Sequence, residues 1–288
     1  MDLNLNYLDK ILHNALLEDI GSGDITTMAT VTADAVTRAV IHVKEEGVVA
    51  GLPAAARVFA LMDPGVVFTP RKNDGDPVKK SDVLAEIAGP ARAILTGERL
   101  ALNLLQRLSA IATRTRKIAT MLSGYNTVVA DTRKTTPGLR LLEKYAVRAG
   151  GGHNHRFGLF DGILIKDNHI KVAGGVQKAV QLAKQVAPHT IKVEVEVESL
   201  AGVKEALAAG ADIIMLDNMD LPQIKEAVRL INGRALVEVS GGVTEERILS
   251  LAEAGVDIIS MGALTHSVKA LDISLDVGEI KSGEYINY

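Results

Sequence analysis

AGADIIMLD (209–217) decides the fold, because it returns as AGVDIISMG (254–262), about 45 residues further on. Each copy reads as the glycine-marked end of a helix followed by an apolar run of buried-strand length. A second pair, KVEVE (192–196) and LVEVS (236–240), echoes at nearly the same interval. A unit of strand and helix is therefore repeated, as in a barrel assembled from like pieces.

Outward from this repeat the alternation continues. Strands are expected at TVVAD (127–131), GILI (162–165), IKVEVE (191–196), DIIML (212–216), ALVEV (235–239) and DIISM (257–261). Helices are expected at VQKAVQLAKQVA (176–187), LAGVKEALAAG (200–210), LPQIKEAVRLI (221–231) and TEERILSLAEAG (244–255). Strands joined by helices pair in parallel through right-handed crossovers. A doubly wound sheet is the rival, but TVVADTRKTTPG (127–138) lacks the glycine fingerprint that such a fold carries at its first strand-to-helix turn. A barrel is favoured. Six strands fall short of the usual eight in about 250 residues, so the barrel is expected to be incomplete.

The N-terminal part has a different character. A helix is expected at LNYLDKILHNALLEDI (5–20), then short strands around RAVIHVK, GVVAG, PGVVFTP and VLAEIAG, with a helix near 54–62. These form a small mixed α and β layer. A long helical pattern then covers 93–122. Composition narrows function less than fold. The 32 basic and 35 acidic residues nearly balance, so no global field points to nucleic acid or to a membrane surface. No apolar run reaches the roughly 18 residues of a membrane span, and the N-terminus lacks the pattern of a signal peptide. The absence of cysteine removes disulfides, thiolate nucleophiles and cysteine-based zinc sites. A cytoplasmic protein is expected.

In such barrels chemistry collects at the C-terminal strand ends. Those ends carry Arg133 and Lys134, Lys166, Glu196, Asp217, Ser240 with Gly241 and Gly242, and Gly262. Arg140 and Arg156 are expected at the same mouth, with Arg107 a candidate from the preceding helix. Arginines grip carboxylates and phosphates through paired hydrogen bonds, and lysines serve as mobile point charges, so the ligand should carry several negative groups. Glu196 and Asp217 suit a divalent cation or sugar hydroxyls. The glycine-rich turns at 240–242 and 261–263 suit a phosphate. Bland readings stand beside these. The glycines at 150–152 serve equally well as a helix end, and Arg107 alone reads as an exposed helix residue. His153, His155 and His169 lack the spacing of a helical zinc site.

DTRKTTPGLR (131–140), GGGHNHRFGL (150–159), LIKDNH (164–169), VEVEVES (193–199), MLDN (215–218) and SGG (240–242) together resemble the quinolinate phosphoribosyltransferase family. The likeness runs from EDIGSGDITT (18–27) to GALTHS (262–267). It implies an α/β fold: an N-terminal α/β sandwich over 1–112, rejoined by 270–288, and an incomplete seven-stranded α/β barrel over 113–269. It implies transfer of a phosphoribosyl group from 5-phosphoribosyl-1-pyrophosphate to quinolinate with decarboxylation, assisted by Mg²⁺, with Glu196 and Asp217 binding ribose hydroxyls or Mg²⁺, directly or through water. By the same resemblance Arg133, His155 and Arg156 meet the quinolinate carboxylates, and Thr132, Lys134 and Lys166 meet substrate, with Lys134 at the pyrophosphate and Lys166 at the phosphoribosyl donor. Ser240, Gly241, Gly242, Met261, Gly262 and Ala263 take the 5′-phosphate. Arg107 crosses the interface of a homodimer, with assembly beyond the dimer left open. Lys134, Lys166, Glu196 and Asp217 are the residues expected to carry the chemistry. Two other readings are a paralogous enzyme with a different acceptor, such as the molybdenum-transport-associated relatives, and a non-catalytic sensor of a phosphorylated ligand.

Overall fold

The computed structural model describes residues 3–278. Its strands are β1 (Val36–Val43), β2 (Gly47–Val48), β3 (Val67–Pro70), β4 (Pro77–Val78), β5 (Val83–Pro90), β6 (Val128–Ala130), β7 (Ile163–Ile165), β8 (Val193–Val197), β9 (Ile213–Asp217), β10 (Leu236–Ser240), β11 (Ile258–Ser260) and β12 (Ile273–Val277). Contacts divide the chain into two units. One takes everything up to Arg116, the segment Thr136–Gly151 and the chain from Ser267 onward; the other takes Lys117–Thr135 and Gly152–His266.

In the first unit an antiparallel sheet runs β12-β1-β5-β3. Here β12 pairs with β1, and of the segment 270–288 expected to return, residues 279–288 lie outside the described residues. The helix Leu5–Ile20 coincides with the expected one and buries Leu8, Leu12 and Leu16, a stripe spaced by four. Thr136–Gly151 interrupts the expected continuous barrel range of 113–269 and joins this unit instead. Its helix, Arg140–Ala149, is tied there through Tyr145, whose hydroxyl donates to Asp74 Oδ2 at 2.7 Å. Asp74 also accepts from the N–H groups of Gly51 and Leu52 at the start of the helix Leu52–Met62. Burial pushes its carboxyl above the usual range. The glycine run serves this helix: Gly150 caps its end, and a Cβ there would lie 2.5 Å from the Ala112 carbonyl.

The second unit holds six parallel strands in the order β6-β11-β10-β9-β8-β7. All six expected strands are present, and the last in sequence, β11, pairs with the first, β6. On its other side β6 gains a single parallel bridge, Ala130 to His153. Six strands and this isolated bridge stand where seven strands are expected; among the described residues no ladder joins the bridge to β7, so no closed barrel is formed. Val193, Val195 and Val197 of β8 are buried, as are Val237 and Val239 of β10. The intervening residues Glu194, Glu196, Glu238 and Ser240 share the opposite face, as strand alternation requires.

The repeat has a physical cause. Asp212 and Asp257 occupy the same place in its two copies. Asp212 Oδ2 accepts from the Val193 N–H and Asp257 Oδ2 from the Val237 N–H, each at 2.7 Å. Their backbones continue the pattern, with Asp212 N–H donating to Val193 O and Asp257 N–H to Val237 O. Each aspartate therefore pins its own strand to the start of the strand before it. The preceding Gly210 and Gly255 have φ of 77° and 86°, a left-handed turn that glycine adopts without strain.

Asp257→Ala should leave the buried Val237 N–H without an acceptor and lower stability by about 1–3 kcal/mol. Asp257→Asn, which keeps an acceptor oxygen, should recover most of that loss. Urea unfolding of the two variants against the parent protein measures both.

Candidate active site

The strand ends of the second unit enclose a cleft of about 620 Å³. Thr132, Arg133 and Lys134 reach it from the loop after β6, and Lys166 from the end of β7. Glu196 and Asp217 come from β8 and β9, Ser240 with Gly241 and Gly242 from β10, and Met261, Gly262 and Ala263 from the turn after β11. His155 and Arg156, just past the bridge, complete the wall. Every rim residue expected in this unit therefore meets in one cavity. Leu164, Met215 and Ser260, each two residues before a rim position, also line it; strand parity was the signal that places them there. Asn218, with φ of 52°, and His266 were not foreseen at all.

Local bonds hold the loops in place. Asp131 is fully buried: Oδ1 accepts from the His155 N–H at 2.9 Å and Oδ2 from Asn154 Nδ2 at 2.5 Å. The DTRK segment and the HNHR segment are thereby fastened together at the cleft edge. Thr265 Oγ1 donates to the Lys134 carbonyl at 2.7 Å, which ties the β6 loop to the turn after β11. Gly241 is required twice over. Its φ is 82°, and a Cβ would sit 2.6 Å from Asp217 Oδ1.

The charges are segregated within the cleft. Arg156 Nη1 donates to Gly162 O at 3.0 Å, whereas its Nε is buried with no hydrogen-bond partner. Burial, and then the neighbouring Arg133 charge, press the Arg156 guanidinium below its usual range. Two desolvated cations side by side make a site for a strongly anionic group. Elsewhere Lys166 Nζ pairs with Glu196 Oε2 at 2.6 Å. Asp217 is pushed up by burial first, then by Glu196 and Glu198. With Lys166 half exposed, that ion pair contributes only about 0–1 kcal/mol to stability. It reads better as an arrangement of charge for a ligand.

Beneath the cleft lies an acidic pair, Glu194 and Glu238, that the sequence pattern does not single out. Glu194 and Glu238 are 5% and 1% exposed, so neither faces solvent. His155 Nε2 lies 3.0 Å from Glu194 Oε2 and 3.6 Å from Glu238 Oε1. Burial, and next the Glu194 charge, raise the Glu238 carboxyl from its ordinary 4.5 to about 7.

Other candidates fall elsewhere. His153 forms the bridge to Ala130, and His169 Nδ1 accepts from the Lys166 N–H, so both have structural roles. Arg107 and Arg140 belong to the first unit, and Arg140 opens the helix there rather than lining the cleft. Arg107 is not a loose surface arginine. Its Nε donates to the fully buried Glu143 at 2.7 Å and its Nη2 to Thr136 Oγ1 at 2.7 Å.

Fold and cleft together define an α/β protein with an open, incomplete barrel whose strand-end cavity suits a polyanionic small molecule. The chain belongs to the quinolinate phosphoribosyltransferase family: residues 24–109 match its N-terminal domain and 111–276 its C-terminal domain. A Bacillus subtilis protein named probable nicotinate-nucleotide pyrophosphorylase [carboxylating] is 48% identical over 275 residues, covering 96% of this chain and 95% of its own. The chloroplastic Arabidopsis thaliana nicotinate-nucleotide pyrophosphorylase [carboxylating] is 44% identical, covering 94% of this chain and 82% of its own. Among solved structures, NadC from Streptococcus pyogenes superposes with a TM-score of 0.92 at 48% identity, over 97% of this chain and all of that one.

The raised Glu238 carboxyl predicts a pH effect. A group whose folded pKa lies above its ordinary value stabilises the fold while neutral, and that contribution fades as pH rises through the folded pKa. Between about pH 5 and pH 8 the protein should lose on the order of 3 kcal/mol from this group, a loss that Glu238→Gln lacks. Urea unfolding of both proteins across that range measures it. Parallel pH profiles would show that Glu238 is not neutral in the fold.

Proposed function

We infer that this protein is a decarboxylating quinolinate phosphoribosyltransferase. It transfers the phosphoribosyl group of 5-phosphoribosyl-1-pyrophosphate to quinolinate, giving nicotinate mononucleotide, pyrophosphate and CO₂. The observation that carries the reading is the segregation of charge in one cleft, with Arg133 and Arg156 grouped together and Glu196, Asp217 and the glycine turns provided separately. A dicarboxylate suits the arginines. A phosphorylated sugar suits the carboxylates and the bare backbone of Ser240–Gly242 and Met261–Ala263.

In this reading Arg133 and Arg156 grip the quinolinate carboxylates, with His155 beside them, and so aim the ring nitrogen at C1 of the ribose. The nitrogen lone pair forms the new bond as the C1–oxygen bond breaks, and the electron pair leaves with pyrophosphate. Lys134 and Thr132 receive the pyrophosphate, and Lys166 stays with the phosphoribosyl group. Glu196 and Asp217 face the ribose, whose C1 becomes cationic as the bond breaks; fixed carboxylates nearby stabilise that charge. The ribosylated nitrogen is itself cationic and accepts the electrons freed when the adjacent carboxylate leaves as CO₂, after which the ring carbon takes a proton. No protein nucleophile is needed. Asp217, raised by burial and by the nearby Glu196 and Glu198, fits together with Glu196 a hard divalent cation such as Mg²⁺, held directly or through water. When bound, the ion would offset charge on the pyrophosphate. A homodimer that exchanges Arg107 across its interface and a cytoplasmic setting complete the proposal.

Two experiments test it. Pyrophosphate release from 5-phosphoribosyl-1-pyrophosphate should require quinolinate, and nicotinate should be a poor substitute, because the missing carboxylate leaves a buried cation unpaired. Equal turnover of the two acceptors, or release with neither, would remove this function and favour the paralogous enzyme or the sensor. For Arg107, the inactive variants Arg107→Ala and Lys166→Ala are unfolded together and refolded. If Arg107 serves the partner's site, random pairing returns about a quarter of parental activity, since half the dimers are mixed and half their sites are intact. No recovery in verified heterodimers would assign Arg107 to its own subunit.

A further inference from the structure

The buried acidic pair under the cleft has no part in the chemistry just described. Glu194 and Glu238 are buried and absent from the cavity lining, and the wall residue that stands within 4 Å of both is His155. Burying two carboxyls together is costly, several kcal/mol for each that stays ionised, where valine or leucine would cost nothing. Two hydrogen bonds of the His155 ring indicate what the pair does. Nδ1 accepts from the Arg156 N–H at 2.7 Å, and a ring nitrogen that accepts carries no proton. The single ring proton therefore sits on Nε2 and points at Glu194 Oε2, 3.0 Å away. With both nitrogens engaged inside the protein, neither is directed at a ligand.

We propose that Glu194 and Glu238 are positioning residues for the acceptor: they hold the His155 proton on Nε2, which makes Nδ1 the acceptor that sets the Arg156 backbone and the direction of its guanidinium beside Arg133. The proposal rests on the assignment of Arg133 and Arg156 to the quinolinate carboxylates. It reassigns His155 from carboxylate ligand to strut. The chain of contacts is continuous, from Glu194 and Glu238 through the ring to Arg156, whose side chain then leans on Gly162 O. Asp131 fixes the other end by accepting from the His155 N–H. The raised Glu238 carboxyl agrees with this, because protonation of Glu238 relieves its repulsion from Glu194 across the ring.

The same three side chains bring their ligand atoms within 4.8 Å of one another, a spacing that also suits a metal ion. Metal bound at Nε2 would move the ring proton to Nδ1, against the Arg156 N–H that Nδ1 now accepts. The hydrogen bonding therefore favours the strut.

The test compares Glu194→Leu, which removes the acceptor at similar volume, with Glu194→Gln, whose amide oxygen still accepts from Nε2. The leucine variant should raise the KM for quinolinate about tenfold or more while leaving the KM for 5-phosphoribosyl-1-pyrophosphate nearly unchanged, and the glutamine variant should restore quinolinate binding to within about threefold. A purely structural role would move both KM values, or the unfolding midpoint alone. The second measurement needs no variant: ¹⁵N NMR of the imidazole in the parent protein should show one neutral ring with its proton on Nε2. A doubly protonated ring, an Nδ1–H ring, or stoichiometric metal lost on Glu194→Leu would overturn the proposal, as would an unchanged quinolinate KM in a folded leucine variant. Calorimetry on the parent protein separates the two levels. If it does not bind quinolinate, the functional reading itself fails; if it binds and the variants bind equally, only the strut fails.

Discussion

Side chains alternate between the two faces of a β-strand, and in β8 and β10 that rule directs acidic residues to the face opposite the buried valines. Val193, Val195 and Val197 are drawn out of water and fix the strand's orientation. Once they are fixed, Glu194 and Glu196 have no choice of side. One step of two residues then separates a carboxylate sealed in the protein from one at the cleft. The same step separates Met215 from Asp217 and Glu238 from Ser240. The cleft is therefore a by-product of apolar burial on the opposite face. A shift of one residue in any of these strands would exchange valines for carboxylates and dismantle fold and site together.

Charge gives the cavity its selectivity. Unit charges of like sign about 5 Å apart repel by roughly 3 kcal/mol at an effective dielectric near 20. Arg133 and Arg156 carry such a repulsion, offset only in part by Glu194 and Asp161, and so do the carboxylates near Asp217, offset in part by Lys166. Ligands of the matching charge relieve both at once, and a ligand lacking a charge leaves one of them standing. Specificity of this kind comes from the discomfort of the empty site, and much less from added contacts. It also explains why Lys166 and Glu196 form an ion pair of small worth to folding: each is available to exchange its partner for substrate.

The six parallel strands and the rim were legible because both rest on short-range pattern. Apolar runs punctuated by glycine mark the strands, and polar residues just past each run mark the mouth. Where long-range pairing decides the outcome, the sequence was silent. The helix Arg140–Ala149 buries Glu143 and Lys144, which in isolation read as solvent-facing charges. Glu143 is buried because Arg107, 36 residues earlier, neutralises it. Arg140, expected at the mouth, opens a helix that is held instead by Asp74 through Tyr145. Glu194 and Glu238 were overlooked for the same reason. A buried carboxyl is foreseeable only when its partner is known, and His155 lies 39 and 83 residues away in sequence from the two of them. The helix Asp167–Ala173 was missed on different grounds: it buries no residue, so it leaves no apolar period to read.

The pairing of first strands with last ones has a bearing on how the chain is made. β6 pairs with β11 from Val128 opposite Ile258 to Ala130 opposite Ser260, and β1 pairs with β12 from Ala39 opposite Val277 to Val43 opposite Ile273. Neither sheet can be completed while the C-terminal third is still being synthesised. Loop-closure entropy must be met before these contacts reward it, which slows folding of such topologies. During translation β6 and β1 emerge early with an open edge, and an open edge accepts any strand offered to it. The nascent chain is thus exposed to mispairing for most of its elongation, and β11 and β12, by arriving last, cover one edge of β6 and one edge of β1 at nearly the same moment.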